Sequence, residues 1–132
     1  MTDVRELGTE TFPATAESVA DARHWLSGLL DSAHPARDDA VLLLSEAVTN
    51  GVLHSAGGKI EVTVFADDDC VRVEVVDPGG DTLPHYVDDR CEESGRGLPI
   101  MRALARDWGF GVIDLGRLKV WFEVSFADDR AT

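Results

Sequence analysis

Apolar residues recur with a helical period in two consecutive stretches near the N-terminus. The first stripe, over about residues 16–32, predicts an amphipathic helix packed along one face; its members are Val19, Ala22, Leu26, Leu29 and Leu30. Pro35 suits the first turn of a second helix, which should run to about Ser55 and end at the glycine pair that follows. Ahead of both helices, GTETF before Pro13 is ambiguous and is compatible with a short edge strand.

The period then changes from that of a helix to that of a strand. The segment KIEVTVFADDDCVRVEVVDPGG alternates apolar and polar residues on both sides of an acidic turn at Asp67 to Asp69, which predicts a β-hairpin. Residues 81–94 have no apolar periodicity and contain Pro84, so they are predicted to be a loop. A loop of this length in a compact domain is either disordered or functional.

After this loop, SGRGLPIMRALARDWG places two glycines before a short helix with Pro99 in its first turn. Two strands close the chain, at about residues 108–114 and 119–126, joined at residues 115–117. Paired strands interrupted by helices indicate an α+β fold, a mixed but mostly antiparallel sheet with helices on one face.

Composition limits what such a fold can bind. The 132 residues fit one domain, and 25 acidic residues against 12 basic ones give a formal net charge of -13. Direct binding to nucleic acid is disfavoured, since phosphate contacts require a basic surface. The same charge repels a free nucleotide, so a phosphate ligand must arrive with a cation.

Compartment and membrane association follow from other features of the sequence. No apolar run reaches the roughly 18 residues of a membrane span. Cys70 and Cys91 follow no signal peptide and lack metal-site spacing, which favours free thiols in a reducing cytoplasm. We therefore expect a soluble cytoplasmic protein without a membrane partner.

The stretch LLLSEAVTNGVLHS raises the main chemical question, because Glu46, Asn50 and His54 stand four residues apart on one helix face. A polar stripe of this kind is usually the solvated side of a helix. Here apolar residues occupy most of the circumference, which predicts a largely buried helix; they are Leu42, Leu43, Leu44, Ala47, Val48, Val52 and Leu53. Asn50 then suits a Mg²⁺ ligand and Glu46 a general base. His54 suits either a phosphate contact or a cap on a helix carbonyl.

Two further motifs have both a structural and a functional interpretation. Asp77-Pro78-Gly79-Gly80 is an ordinary type II turn by composition, yet a carboxylate fixed by such a turn can accept a hydrogen bond from an amino group such as that of adenine. Gly79 would let the ring approach the backbone. Gly95-Arg96-Gly97 is either a plain loop-to-helix transition or an anion site at a helix N-terminus. Arg96 and Lys119 are candidates for the local positive charge that a triphosphate needs.

In their order along the chain, these motifs resemble the ATP-binding fold shared by gyrase-type ATPases, histidine kinases and MutL. Within that superfamily, SEAVTNGVLHS, VVDPGG and ESGRGLPIMRALARDWG are most similar to the stand-alone anti-sigma-factor serine/threonine kinases and their actinobacterial relatives. The resemblance implies a two-layer α/β sandwich that binds ATP and Mg²⁺. It also implies transfer of the γ-phosphoryl group to a serine or threonine of an antagonist protein that controls release of a sigma factor.

The resemblance assigns roles motif by motif. It implies that Glu46 is the catalytic base, Asn50 the Mg²⁺ ligand, Asp77 the adenine-reading acid and Gly79 the glycine beside it. Gly95 and Gly97 match the glycines that close an ATP lid, residues 81–94, and Arg96 and Leu98 fall in the same phosphate-binding motif. Two departures stand out: Asp81 replaces a glycine that many relatives have, and no threonine stands near Gly116. Relatives also suggest a homodimer face on the first helix and N-terminal strand.

Two other functions remain open at this point. The domain could bind ATP without catalysis, as an interaction module that regulates a sigma factor or an antagonist. It could also be the catalytic part of a histidine kinase, but that requires a phosphoacceptor histidine on a dimerisation helix. His24 precedes Trp25 and His34 precedes Pro35, and no additional helical hairpin is predicted, so this alternative is the weakest of the three.

Overall fold

The computed structural model of the chain describes residues 4–54, 57–79 and 103–126. Within them, five strands and two long helices follow one another in the predicted order. Their bounds are β1 Arg5–Pro13, α1 Glu17–Leu29, α2 Arg37–His54, β2 Lys59–Ala66, β3 Cys70–Asp77, β4 Asp107–Val112 and β5 Leu118–Ser125, with a 3-10 turn at Asp114–Gly116. The helix predicted after Pro99 lies mostly outside the described residues, of which 103 and 104 are helical.

The strands form one sheet in the order β1-β2-β3-β5-β4, and every described pair is antiparallel. The hairpin of β2 and β3 was predicted from its alternating pattern and is confirmed. Its turn is held by the Asp67 carboxylate, whose Oδ1 accepts the backbone N–H groups of Asp69 at 2.7 Å and Cys70 at 2.8 Å. Because β3 also pairs with β5, the hairpin lies in the middle of the sheet.

The helices cover one face of the sheet, and that face contains the hydrophobic core. Along β2, β3 and β5 every second side chain is buried, as expected for strands with one covered face. The largest fully buried side chains are Phe122, Leu26, Leu43, Leu44, Ile60, Val48, Val62, Val64, Val71, Val73 and Val75. The predicted α+β architecture, with two layers and helices on one face, is confirmed. We call the helix-covered side the inner face and the opposite side the outer face.

Several element boundaries differ from the predictions: α1 ends at Leu29 rather than near residue 32, and β4 ends at Val112 rather than near residue 114. Strand β1 begins three residues earlier than the GTETF stretch, because its backbone pairs with β2 from Arg5 opposite Ala66 to Pro13 opposite Lys59. An irregularity between Glu6 and Gly8 interrupts that register. Such irregularities are common in edge strands, where they limit pairing with other chains.

Helix α2 begins at Arg37, two residues after Pro35, so the proline precedes the helix rather than standing in its first turn. The entry to the helix is held by His34, whose Nδ1 accepts the Ala36 N–H at 3.1 Å and whose carbonyl accepts the Arg37 N–H. Asp38 and Asp39 then fall in the first turn, where negative charge suits the helix dipole. In the described part of the chain, neither helix is long and apolar enough to cross a membrane.

Candidate functional site

Asn50 lies on the side of α2 that turns toward the core, with only 9% of its surface exposed. Among the residues that the structure describes, no partner forms a hydrogen bond with its carboxamide side chain. Leaving a buried polar group unpaired costs about 1 to 3 kcal/mol. The burial of an unpartnered carboxamide indicates that something outside the described residues uses its oxygen or its NH₂ group.

Glu46 lies one helical turn before Asn50 and is half-buried. The sequence predicted that apolar residues would cover most of α2, and this prediction is wrong for Leu42 and Leu53, which are 43% and 64% exposed. Both lie on the side of the helix that faces away from the sheet. Glu46 therefore borders the exposed side of α2, whereas Asn50 borders the buried side.

Asp77 ends β3 and is more deeply buried than Asn50, with 6% of its surface exposed. Its Oδ1 atom accepts the Gly79 N–H at 2.7 Å. Burial raises the pKa of the Asp77 carboxyl, and the hydrogen bond from Gly79 opposes that shift. The carboxylate is thus fixed in orientation at the end of a central strand, where it can accept a hydrogen bond from a ligand.

The turn after Asp77 is locked by Gly79. Gly79 has a φ of 80°, the value that the third position of a type II turn requires. A Cβ atom at this position would stand 2.2 Å from the carbonyl oxygen of Gly116. The turn therefore packs directly against the connection between β4 and β5, and only glycine fits there.

Gly51 brings α2 and Asp77 together, and the sequence analysis did not identify it. A Cβ atom at Gly51 would lie 3.2 Å from Asp77 Oδ2 and 3.2 Å from Ile60 Cδ1. The helix backbone next to Asn50 therefore passes immediately beside the Asp77 carboxylate. An isolated glycine inside a helical pattern is a signal of close packing, and this signal was present in the sequence.

Lys119 is not brought together with these residues. It stands opposite Val76 on the outer face, while the neighbouring pair of Asp77 and Leu118 is buried on the inner face. Its Nζ atom pairs with Glu74 Oε1 at 3.1 Å. On the same face, Arg72 pairs with Glu74 at 2.9 Å and Glu123 at 3.0 Å. Lys119 thus belongs to a charge network across the sheet, and we leave it out of the proposed site.

Several predicted site residues lie outside the described part of the chain. They are Gly95, Arg96, Gly97 and Leu98, together with the predicted lid at residues 81–94. His54 is the last residue of α2, and its side chain also lies outside the described residues. The site defined by the described residues therefore consists of Asn50, Gly51, Asp77 and Gly79, with Glu46 one turn away.

These residues fit the two groups that the sequence predicted. The buried carboxamide oxygen of Asn50 is the hard, neutral ligand that Mg²⁺ accepts beside phosphate and water oxygens. The fixed carboxylate of Asp77 suits the amino group of a purine, and Gly51 and Gly79 place no side chain of their own beside it. The chemistry of the donor set is compatible with adenine at one end of the site and a metal-bound phosphate at the other.

Comparison with known proteins agrees with this geometry. A family model described as a histidine kinase-like ATPase domain matches residues 12–116, which is most of the chain and includes Glu46, Asn50, Asp77 and Gly79. No curated protein matches the sequence. The five-stranded antiparallel sheet with two helices on one face is consistent with the fold of that family. The chain therefore belongs to the histidine kinase-like ATPase domain family, which makes it an ATP-binding domain of the ATPase and kinase class.

Proposed function

We propose that this protein is an ATP- and Mg²⁺-dependent serine/threonine kinase of the anti-sigma-factor type. In this proposal it sequesters a sigma factor and phosphorylates an antagonist protein on serine or threonine. The family match supports the ATP-binding part. The kinase part is supported by the motifs around Glu46, Asn50 and Asp77, which resemble those of the anti-sigma-factor kinases.

One observation carries the proposal, namely that Asn50 and Asp77 are both buried and that Gly51, the residue after Asn50, lies against the Asp77 carboxylate. Two polar side chains that are 9% and 6% exposed lie where α2 meets the end of β3. Burying both groups is unfavourable unless a partner satisfies them. A nucleotide would satisfy both at once, because its base carries a donor for Asp77 and the Mg²⁺ on its phosphates accepts the carboxamide oxygen of Asn50.

The roles of the residues follow from their chemistry. When bound, Mg²⁺·ATP would supply the γ-phosphoryl group for transfer. Asn50 would hold the metal through its carboxamide oxygen, and Asp77 would orient the base. Glu46, at the exposed border of α2, would accept the proton of the attacking serine or threonine hydroxyl. Phosphoryl transfer needs positioning and charge neutralisation more than covalent chemistry from the protein, so this small set of groups is sufficient in principle.

The proposal also includes the setting of the reaction. We place the protein in the cytoplasm with protein partners rather than nucleic acid or membrane, in keeping with its net charge of -13. A homodimer through α1 and β1 is part of the proposal. Sedimentation at several protein concentrations tests that state separately from catalysis.

Calorimetric titration with ATP, with and without Mg²⁺, is the first test because it needs no partner. We expect Mg²⁺-dependent binding with a dissociation constant in the micromolar range, which corresponds to about 8 kcal/mol. Asn50→Ala should abolish the Mg²⁺ dependence, whereas Glu46→Gln should leave binding unchanged. The absence of ATP binding by the folded wild-type protein would refute the proposal.

Catalysis is tested by transfer of radiolabelled phosphate from ATP to a protein that forms a complex with the chain. Wild-type protein should label the partner on serine or threonine, and Glu46→Gln should not. If ATP binding and complex formation occur without labelling, the protein is the non-catalytic interaction module. If Glu46→Gln labels the partner as fast as wild type, Glu46 is not the base.

A further inference from the structure

The two edge strands of the described sheet, β1 and β4, have different sequences. β1 carries three charged residues, an irregularity between Glu6 and Gly8, and Pro13 at its end. Charges, irregularities and proline are the features that keep an edge strand from pairing with another chain. By contrast, residues 108–113 of β4 and its end are six consecutive residues without a charge or a proline. Among the described residues β4 pairs only with β5, so most of its other side lacks these protections.

β4 also exposes apolar side chains on the inner side of the sheet. Phe110 and Val112 pair with the buried residues Val120 and Leu118, yet they are 37% and 68% exposed. The ring of Trp108 stacks near that of Phe110, with 6.4 Å between the centroids. Trp108, Phe110 and Val112 thus form an apolar ridge along β4, which we call the β4 ridge. An added strand would cover such a ridge.

The outer side of β4 carries two glycines, Gly109 and Gly111. Glycine weakens a strand and often marks a place where another backbone approaches closely. Gly109 makes room for the indole of Trp121, since a Cβ atom there would stand 2.8 Å from three atoms of that ring. A Cβ atom at Gly111 would meet nothing within 4 Å, so packing inside the described part of the chain does not explain this glycine.

We propose that β4 pairs antiparallel with β4 of a second copy of this chain, across a two-fold axis, so that the two sheets become continuous. Copies with a net charge of -13 repel one another, and a strand with six consecutive uncharged residues is a place where they can meet at low electrostatic cost. This surface lies at the opposite edge of the sheet from the α1 and β1 surface in the proposed function. Pairing through β4 does not require ATP.

The alternation of side chains restricts the register of this contact. The inner sides of the two copies coincide if Phe110 lies opposite Phe110 of the second copy, and this register centres the contact on the β4 ridge. Trp108 then lies opposite Val112, and the two glycines lie opposite each other. Beyond the ridge, Arg106 lies opposite Asp114, so opposite charges meet, although each also has an ion pair within its own chain. The strand is therefore complementary to itself.

Sedimentation of the full chain at about 5 to 1,000 μM tests the association. The contact is small, so we expect a weak dimer with a dissociation constant of roughly 10 to 500 μM. Val112→Lys should raise this constant at least about tenfold, because the contact would bury an unpaired charge. Since a lysine lowers the net negative charge, repulsion between whole chains cannot cause this loss. Leu53→Lys is the matched control, because Leu53 is similarly exposed, at 64%, but lies on α2; it should associate like wild type.

A cysteine on the two-fold axis tests the register. In a Cys91→Ser background, Phe110→Cys should form a disulfide-linked dimer under mild oxidation, since the two Cα atoms would be about 4.5 to 5.5 Å apart. Val112→Cys should not, because residue 112 of one copy would be four residues, or about 13 Å, from residue 112 of the other. The native Cys70 is buried and can stay in both variants.

Three results would overturn the proposal. Wild type stays monomeric at the highest concentration, Val112→Lys associates as strongly as wild type, or Val112→Cys cross-links as fast as Phe110→Cys. Val4→Lys probes the other edge, since Val4 precedes β1 and is 63% exposed. Loss of association in Val4→Lys alone would place the contact at β1 and refute pairing through β4. Use of both edges would give assemblies larger than a dimer, which Val112→Lys should reduce to a dimer.

Discussion

Replacing Gly79 with alanine should destabilise the protein more than the same change at another glycine of equal backbone conformation. Gly79 and Gly116 have φ values of 80° and 76°, so both are in the left-handed region that alanine disfavours. Their surroundings differ. A Cβ atom at Gly79 would stand 2.2 Å from the Gly116 carbonyl oxygen, whereas one at Gly116 would meet nothing within 4 Å. Gly116→Ala is therefore the matched control.

The magnitude follows from two contributions. The left-handed conformation costs about 1 to 2 kcal/mol for a residue with a Cβ atom, and both variants share this cost. Only Gly79→Ala adds a steric overlap, because Cβ atoms essentially never approach a neighbour within 3.0 Å and the turn must therefore move by about 0.8 Å. Overpacking of this kind costs about 1 to 3 kcal/mol. Gly79→Ala should thus lower the free energy of unfolding by about 2 to 5 kcal/mol, against about 1 to 2 kcal/mol for Gly116→Ala.

Equilibrium unfolding in urea measures this difference directly. Both variants should keep the wild-type dependence on denaturant, with the midpoint of Gly79→Ala well below that of Gly116→Ala. The backbone atom that overlaps belongs to a strand connection rather than to a flexible side chain, so local rotation cannot remove the overlap. Equal destabilisation of the two variants, to within about 0.5 kcal/mol, would refute the packing of the turn on the β4-β5 connection.

Two further predictions concern charged groups. Burial raises the pKa of Asp77 although one backbone hydrogen bond opposes the shift, so the folded state holds this proton more tightly than the unfolded chain does. The measurement is urea unfolding of wild type and Asp77→Asn at a series of pH values. The free energy of unfolding of wild type, relative to that of Asp77→Asn, should fall as pH rises from 3.8, the ordinary pKa, through the raised pKa of the folded state. A rise over this range would contradict the prediction. Arg72 lies 2.9 Å from Glu74 and 3.0 Å from Glu123, so Arg72→Ala should lower the free energy of unfolding. The loss of free energy of unfolding should be about 1 to 2 kcal/mol and should be smaller at about 1 M salt. It should also exceed the loss in Lys59→Ala, the control at an exposed residue. Equal losses in the two variants would contradict the prediction.

The sequence predicted elements well where one local pattern decides the structure. The hairpin of β2 and β3 follows from strict alternation around an acidic turn, and α2 follows from a long helical pattern that a glycine pair ends. The sheet order was not predictable in the same way. Pairing of β3 with β5 joins segments more than 40 residues apart in the chain, and nothing in either segment specifies the other.

The site was partly predictable for the same physical reason. The position of Asp77 at a strand end and that of Asn50 on a helix could be read from local patterns. Lys119 could not be placed on a face from the sequence, because alternation assigns a residue to a face only once the register of its strand is known. In the structure, Lys119 pairs with Val76 and lies on the outer face. The exposure of Leu42 and Leu53 was also missed, since an apolar residue is not by itself evidence of burial.

In a protein with a net charge of -13, the neutral amide of Asn50, the residue before Gly51, adds no further negative charge near the Asp77 carboxylate. A nucleotide brings several negative charges to this point, and each additional carboxylate would raise the repulsion. Among the described cations, Arg117 pairs with Asp114 at 2.6 Å and Lys119 with Glu74 at 3.1 Å, and Lys59 and Arg117 line one depression with Asp77. In the proposed function, Mg²⁺ is the main source of neutralisation, and Arg96, which lies outside the described residues, is a further candidate. The titration of ATP without Mg²⁺ therefore tests the role of Asn50. If ATP binds equally well without Mg²⁺, the buried carboxamide of Asn50 does not act as a metal ligand.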